Sequence, residues 1–209
     1  DSDSADDSNS SSPDVAAIEV DDIYQTIAQG LAAFDSFPDG IWRITEIEPR
    51  SVDEAPSVTA PYYGFLYQMD GTTIVRNDVT GKRARLEPGE AYYFSANDTY
   101  TRYREDDVSR AWLIEVVPAD ADPADAAGTP IYHSDPIGSF PDDTRDLELI
   151  SANLMEGESS GLPDYEVDIL VMVPVGSIEV EHDDGTTRLD APAAYPFSSN
   201  VTLTNTGDT

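Results

Sequence analysis

Apolar side chains recur on a two-residue period along Ile41-Trp42-Arg43-Ile44-Thr45-Glu46-Ile47, and again over residues 73–76. That spacing belongs to an extended strand with one face toward a core and the other toward water. Gly and Asp gather between such stretches, at Asp70-Gly71, at residues 78–81 and at Asp183-Asp184-Gly185. These are hairpin turns, where positive φ angles are needed and Gly, Asn or Asp supply them. Many short strands at even turn spacing predict an all-β chain built as a barrel or sandwich. Residues 15–34 fit two patterns, because Ile23, Ile27, Leu31 and Phe34 would also stripe a helix. The matching stretch in the later half, residues 130–140, carries two prolines, so strand and loop are expected in both places.

The pattern occurs twice. Phe37-Pro38-Asp39-Gly40 leads into the first alternating strand, and Phe140-Pro141-Asp142-Asp143 leads into Asp146-Leu147-Glu148-Leu149-Ile150. Gly71 with Thr73-Ile74-Val75 corresponds to Gly176 with Ile178-Glu179-Val180. Arg85-Leu86, Ala91-Tyr92-Tyr93-Phe94-Ser95 and Asn97 correspond to Arg188-Leu189, Ala194-Tyr195-Pro196-Phe197-Ser198 and Asn200. The offsets are 103 (Phe37 to Phe140), 105 (Gly71 to Gly176) and 103 again (Phe94 to Phe197). Several matches in one order at one spacing predict a tandem repeat. The expected division is a polar tail over 1–22, a first domain over 23–118, a linker over 119–129 and a second domain over 130–209.

The turn Leu86-Glu87-Pro88-Gly89-Glu90-Ala91-Tyr92-Tyr93-Phe94, with Gly71 closing the preceding strand pair, resembles the cupin superfamily of small jelly-roll barrels. Asn205-Thr206-Gly207-Asp208 is similar to the turn that follows the second motif of that family. The resemblance covers residues 37–117 and 140–209 and implies two tandem cupin-like jelly-roll β-barrels. The strand Ala111-Trp112-Leu113-Ile114-Glu115-Val116-Val117 that ends the first copy has no counterpart by Thr209, so the second barrel is expected to be truncated at its C-terminus. Val15-Ala16-Ala17-Ile18-Glu19-Val20 is the other segment whose pattern could fill that place. An unfilled edge would expose backbone donors and would allow two copies to pair through their barrel edges.

Metal-binding members of that superfamily hold their ion with histidines and a glutamate. Counting from Gly71, those positions fall on Val58, Ala60, Gly64 and Tyr100, and in the second copy on Ile169 and Val201. None offers the imidazole or carboxylate that Fe, Mn, Ni or Zn requires, so no metal and no cofactor are expected. The chain has two histidines. His133 lies in the second lead-in, and His182 lies in the acidic run with Glu181, Asp183 and Asp184, whose oxygens would suit calcium but follow no calcium-loop spacing.

Charge narrows the partners. Forty-two acidic residues against eleven basic ones give a net charge of −31. Such a surface repels nucleic-acid phosphates and anionic lipid headgroups. Simple solubility and adaptation to high salt both account for it. No apolar run reaches the roughly 18 residues of a membrane-spanning helix. The Ser/Asp-rich stretch 1–14 cannot bury apolar surface and resembles the tether of an exported or lipid-anchored protein, so an extracytoplasmic location after leader removal is expected. There is no cysteine, hence no disulfide and no thiol nucleophile.

No serine sits in a nucleophile-elbow motif, and no Gly-rich phosphate loop is present. What remains is aromatic and basic. If Tyr100 takes the inward position of the later histidine, strand alternation also points Arg102 into the barrel. By the same parity from Gly64, Leu66 and Gln68 face inward. Gln68, Tyr100 and Arg102 are therefore the candidate ligand-binding residues, suited to a small sugar or organic acid. The expected function is metal-free, non-catalytic binding of a small polar molecule, or a scaffold. The alternative is a cupin-type isomerase, lyase or oxygenase with a degenerate site.

Overall fold

A computed structural model describes residues 23–34, 39–122, 126–137, 144–162, 168–198 and 200–207. The candidate filler at 15–20 and both Phe-Pro lead-ins fall outside these. The described residues form strands and turns without helix, so the all-β expectation holds. None of them forms a helix long and apolar enough to cross a membrane.

Eight strands build the first half: β2 (Gly40–Ile47), β3 (Ser57–Thr59), β4 (Tyr63–Asp70), β5 (Thr73–Asn77), β6 (Arg83–Leu86), β7 (Ala91–Phe94), β8 (Thr99–Arg104) and β9 (Arg110–Pro118). They hydrogen-bond in two sheets, with orders β2-β9-β4-β7 and β3-β8-β5-β6. Strands that alternate between two facing sheets in this way make a jelly roll. Turn glycines set the corners. At Gly71 φ is +66°, and an added Cβ would lie 2.1 Å from the Val108 carbonyl oxygen, so only glycine fits.

The second half repeats the scheme with β11 (Thr144–Ala152), β12 (Ser159–Gly161), β13 (Asp168–Val173), β14 (Ser177–His182), β15 (Gly185–Asp190), β16 (Ala193–Ser198) and β17 (Thr202–Asn205). One sheet reads β12-β17-β14-β15. The registers recur at the spacings found in the sequence. Gly64 opposes Phe94 as Ile169 opposes Phe197, and Ile74 opposes Arg85 as Glu179 opposes Arg188. Among the described residues nothing corresponds to β9, and the other sheet is left as two separate pairs, β11 with β1 (Tyr24–Ala33) and β13 with β16.

The two lead-in strands are exchanged. β1 (Tyr24–Ala33) precedes the first half but pairs with β11 of the second, whereas β10 (Thr129–His133) precedes the second half and pairs with β2 of the first. Tyr24–Ala33, expected to belong with the first domain, is therefore hydrogen-bonded to the second half.

Alternation along these strands supplies three apolar layers. Ile47, Leu66, Val75, Leu86, Phe94, Tyr100 and Leu113 fill the first barrel, and Val171, Val180, Leu189, Phe197, Val201 and Leu203 fill the second. The other face of the β2-β9-β4-β7 sheet packs on the β1-β11 pair through Ile44, Phe65, Trp112, Ile114, Leu147 and Leu149. Each large apolar side chain buried there contributes about 1.5–3 kcal/mol, so the halves form one body back to back.

Candidate functional site

The inner face of the first barrel follows from register. On β2, β9 and β4, Arg43 opposes Glu115 and Glu115 opposes Gly64. One step along that face, Thr45 opposes Leu113 and Leu113 opposes Leu66. Gln68 continues the row opposite Ala111. From the facing sheet, β8 sends in Tyr100 and Arg102, paired to Asn77 and Val75 of β5.

Two charges meet on this face. Arg43 Nη2 donates to Glu115 Oε2 at 2.7 Å, Nε donates to the same oxygen at 3.2 Å, and both residues are buried. The guanidinium also lies 5.5 Å from the Tyr62 ring centre, adding a cation–π contact. Beside them the Thr45 hydroxyl is buried with no hydrogen-bond partner among the described residues.

Tyr100 stacks on Phe94 at 5.7 Å between ring centres, and its hydroxyl accepts a hydrogen bond from Arg102 Nη1 at 3.3 Å. Burial pushes the phenol above its ordinary pKa; the Arg102 charge opposes that rise and the Glu115 charge adds to it. Arg102 then reaches a hollow of about 250 Å³ at the barrel mouth, which it lines with Arg50, Glu48, Ile47, Val58 and Gly128. Arg50 and Arg102, like Lys82, Arg83 and Arg104, make no ion pair with a described residue, whereas Arg43, Arg76, Arg85, Arg110 and Arg188 do.

The structure thus joins Tyr100 to Arg102 and leaves Gln68 apart. Gln68 faces inward as parity requires, but its Nε2 donates to the Asp70 carbonyl at 2.7 Å and to Ser109 Oγ at 2.8 Å, and Ser109 in turn bonds Thr73 at 2.8 Å. It is fully buried and ties the Asp70-Gly71 turn to the β8–β9 connection, away from the hollow. Sequence reasoning missed Arg43, Glu115, Arg50 and Glu48. One signal was present: Glu115 is the only charge inside the run Ala111-Trp112-Leu113-Ile114-Glu115-Val116-Val117, and a carboxylate there needs a cation across the sheet.

The positions that the cupin resemblance assigns to metal ligands do converge, since Val58, Ala60 and Tyr100 share the inner core. They do not fit a metal. A Cβ on Gly64 would stand 2.1 Å from the Ile114 carbonyl oxygen, leaving no room for a carboxylate side chain. In the second barrel the corresponding Ile169 and Val201 sit in apolar packing. No three His, Asp or Glu side chains gather as a metal site among the described residues. His182 lies on β14, where Nε2 is 2.9 Å from the Thr187 hydroxyl, and His133 is exposed at the end of β10.

No protein-family profile matches the chain, and no curated protein matches it. Among solved structures it is similar to a cupin 2 conserved barrel domain protein from Leptotrichia buccalis, at 11% identity and a TM-score of 0.43, over 88% of this chain and 85% of that one.

Proposed function

We propose that this protein is a metal-free, non-catalytic member of the cupin kind, two jelly-roll units in tandem, and that the mouth of its first barrel binds a small hydroxylated carboxylate such as a hydroxy acid or sugar acid. One observation carries the reading: two arginines, Arg50 and Arg102, line one hollow with a single carboxylate, Glu48, and neither is in an ion pair with a described residue, in a chain with almost four acidic residues for each basic one. Guanidinium groups recognise carboxylates through paired N–H donors. Glu48 on the same wall would accept hydrogen bonds from ligand hydroxyls and disfavour a purely anionic solute. Ile47 and Val58 supply the apolar contact. Against catalysis, neither histidine reaches the hollow, and the one buried carboxylate of this barrel, Glu115, is held by Arg43.

Titration calorimetry with a series of hydroxy acids, sugar acids and their uncharged analogues tests this. A charged member should bind saturably, the uncharged analogue should bind at least about tenfold more weakly, and Arg102→Ala should abolish binding without lowering the melting temperature by more than a few degrees. Equal heats from charged and uncharged compounds, or binding that survives both Arg102→Ala and Arg50→Ala, would remove the proposal.

A further inference from the structure

Two asparagines stand out among the turns. Among the described residues glycine fills every other position of left-handed backbone, whereas Asn97 has a φ of +69° and Asn200 a φ of +50°. Glycine takes that conformation at no steric cost and asparagine is a common substitute, so the turns themselves do not require asparagine. The two positions are equivalent in the repeat, 103 residues apart. Thr99 and Thr202 follow two residues on, and the residues between, Asp98 and Val201, are not proline. Over 96–100 and 199–203 the copies agree only at the asparagine and the threonine. Asn-x-Thr is the acceptor signature for an N-linked glycan, and it gains meaning when it lies in a surface turn.

Both asparagines do, and both are exposed. The Asn97 turn is pinned by its neighbours and its own backbone. Asn97 N–H donates to the Ala60 carbonyl at 2.7 Å, Ala60 N–H donates to the Asp98 carbonyl at 2.8 Å, and Ser95 N–H donates to Asp98 Oδ2 at 2.9 Å. In the second copy Leu162 N–H donates to the Val201 carbonyl at 2.9 Å. The side chain of neither asparagine hydrogen-bonds a described residue. Asn77 and Asn205 are the opposite case. Asn77 Oδ1 accepts from the Thr80 amide at 2.8 Å, Asn205 Nδ2 donates to the Leu154 carbonyl at 2.8 Å, and neither has Ser or Thr two residues on. Asn153 is exposed, but Met155 stands in the threonine place.

We infer that Asn97 and Asn200 are paired N-glycosylation sites, one on each half, that take an oligosaccharide from a polyprenyl phosphate or diphosphate carrier. In that step asparagine Nδ2 bonds to the anomeric carbon of the sugar, and the bond from that carbon to the carrier phosphate breaks. The phosphate leaves with the bonding electrons, and one amide proton passes to a base of the transferase. Such transfer serves exported chains, so this chain must leave the cytoplasm, as the Ser/Asp-rich stretch 1–14 leads one to expect. The Asn97 glycan stands clear of the hollow at the barrel mouth. Its turn precedes β8, and Arg102 lies three residues, roughly 10 Å, beyond the first residue of that strand. The inference is independent of the Arg50–Arg102 site.

The test is peptide mass spectrometry on the full chain isolated from its own host. Cleavage after Lys and Arg leaves Asn97 in the peptide 86–102 and Asn200 in the peptide 189–209. Both peptides should carry sugar mass additions, and fragmentation should place them on Asn97 and Asn200, with Asn77, Asn153 and Asn205 bare. In the same host Thr99→Ala and Thr202→Ala should each remove the addition from their own peptide and leave the other unchanged. Thr99→Ser and Thr202→Ser should retain it, because serine completes the same signature. The unsubstituted chain decides the case even where a variant fails to fold. A bare amide at either Asn97 or Asn200 in the host's protein, additions that survive the alanine substitutions, or additions on Asn77 or Asn205 would overturn the assignment.

Discussion

Arg43 and Glu115 face each other across β2 and β9 at 2.7 Å, with side chains 9% and 3% exposed. Removing two charges from water costs several kcal/mol per ion, and their attraction repays it only while both are present. Arg43→Met alone or Glu115→Leu alone should therefore cost about 3–5 kcal/mol, a fall in melting temperature on the order of 10 °C for a chain of this size. The double substitution should recover most of that loss. Thermal unfolding of the four proteins in one buffer checks it; additive losses would mean that the pair does not act as a unit.

Gly30 of β1 lies against Tyr93 of β7, and an added Cβ would come within 2.1 Å of the ring carbon Cε1. The Tyr93 hydroxyl also donates to the Leu31 carbonyl, so the ring is fixed from both ends. Gly30→Ala should destabilise by about 1–3 kcal/mol, as overpacking does. Combining it with Tyr93→Leu should give a smaller total than the sum of the single effects, because the clash needs both residues. Chemical denaturation provides the comparison.

The phenols of Tyr67, Tyr92, Tyr93, Tyr100 and Tyr132 are all held above their ordinary pKa, first of all by burial. Their folded-state pKa exceeds the unfolded value, so above about pH 10 the unfolded chain has bound fewer protons than the native one. Stability is then complete below that point and declines as pH rises through the raised native values. The phenolate absorbance of the folded protein should appear later than that of a denatured sample, and the melting temperature should drop over the same interval. A native titration superimposable on the denatured one would contradict this.

At net charge −31 the folded chain repels itself. Salt at roughly 1 M shortens the Debye length to about 3 Å, so the melting temperature should climb from low to molar KCl. A flat or falling curve would assign the acidity to solubility alone.

The strands themselves were legible in the sequence because a two-residue period reports faces directly. The same parity put Leu66, Gln68, Tyr100 and Arg102 on one inner surface, where they are found. Period alone says which way a side chain points and nothing about which strand lies beside it. That is why the exchange of β1 and β10 could not be read, and why Arg43 and Glu115, 72 residues apart, were not seen as neighbours. Gln68 shows a different limit. An inward amide can serve a ligand or a turn, and only the positions of the Asp70 carbonyl and Ser109 decide between them.

The crossing of β1 and β10 ties the two halves in a way that sequence order hides. Cutting the chain between residues 119 and 128 would separate the covalent pieces, yet each fragment would still carry the edge strand of the other, β1 on β11 and β10 on β2. The nicked protein should stay together like a clasp until it unfolds. Neither half can be lifted out as an intact module, and a gene fragment encoding one alone would take a borrowed strand with it and leave its own behind.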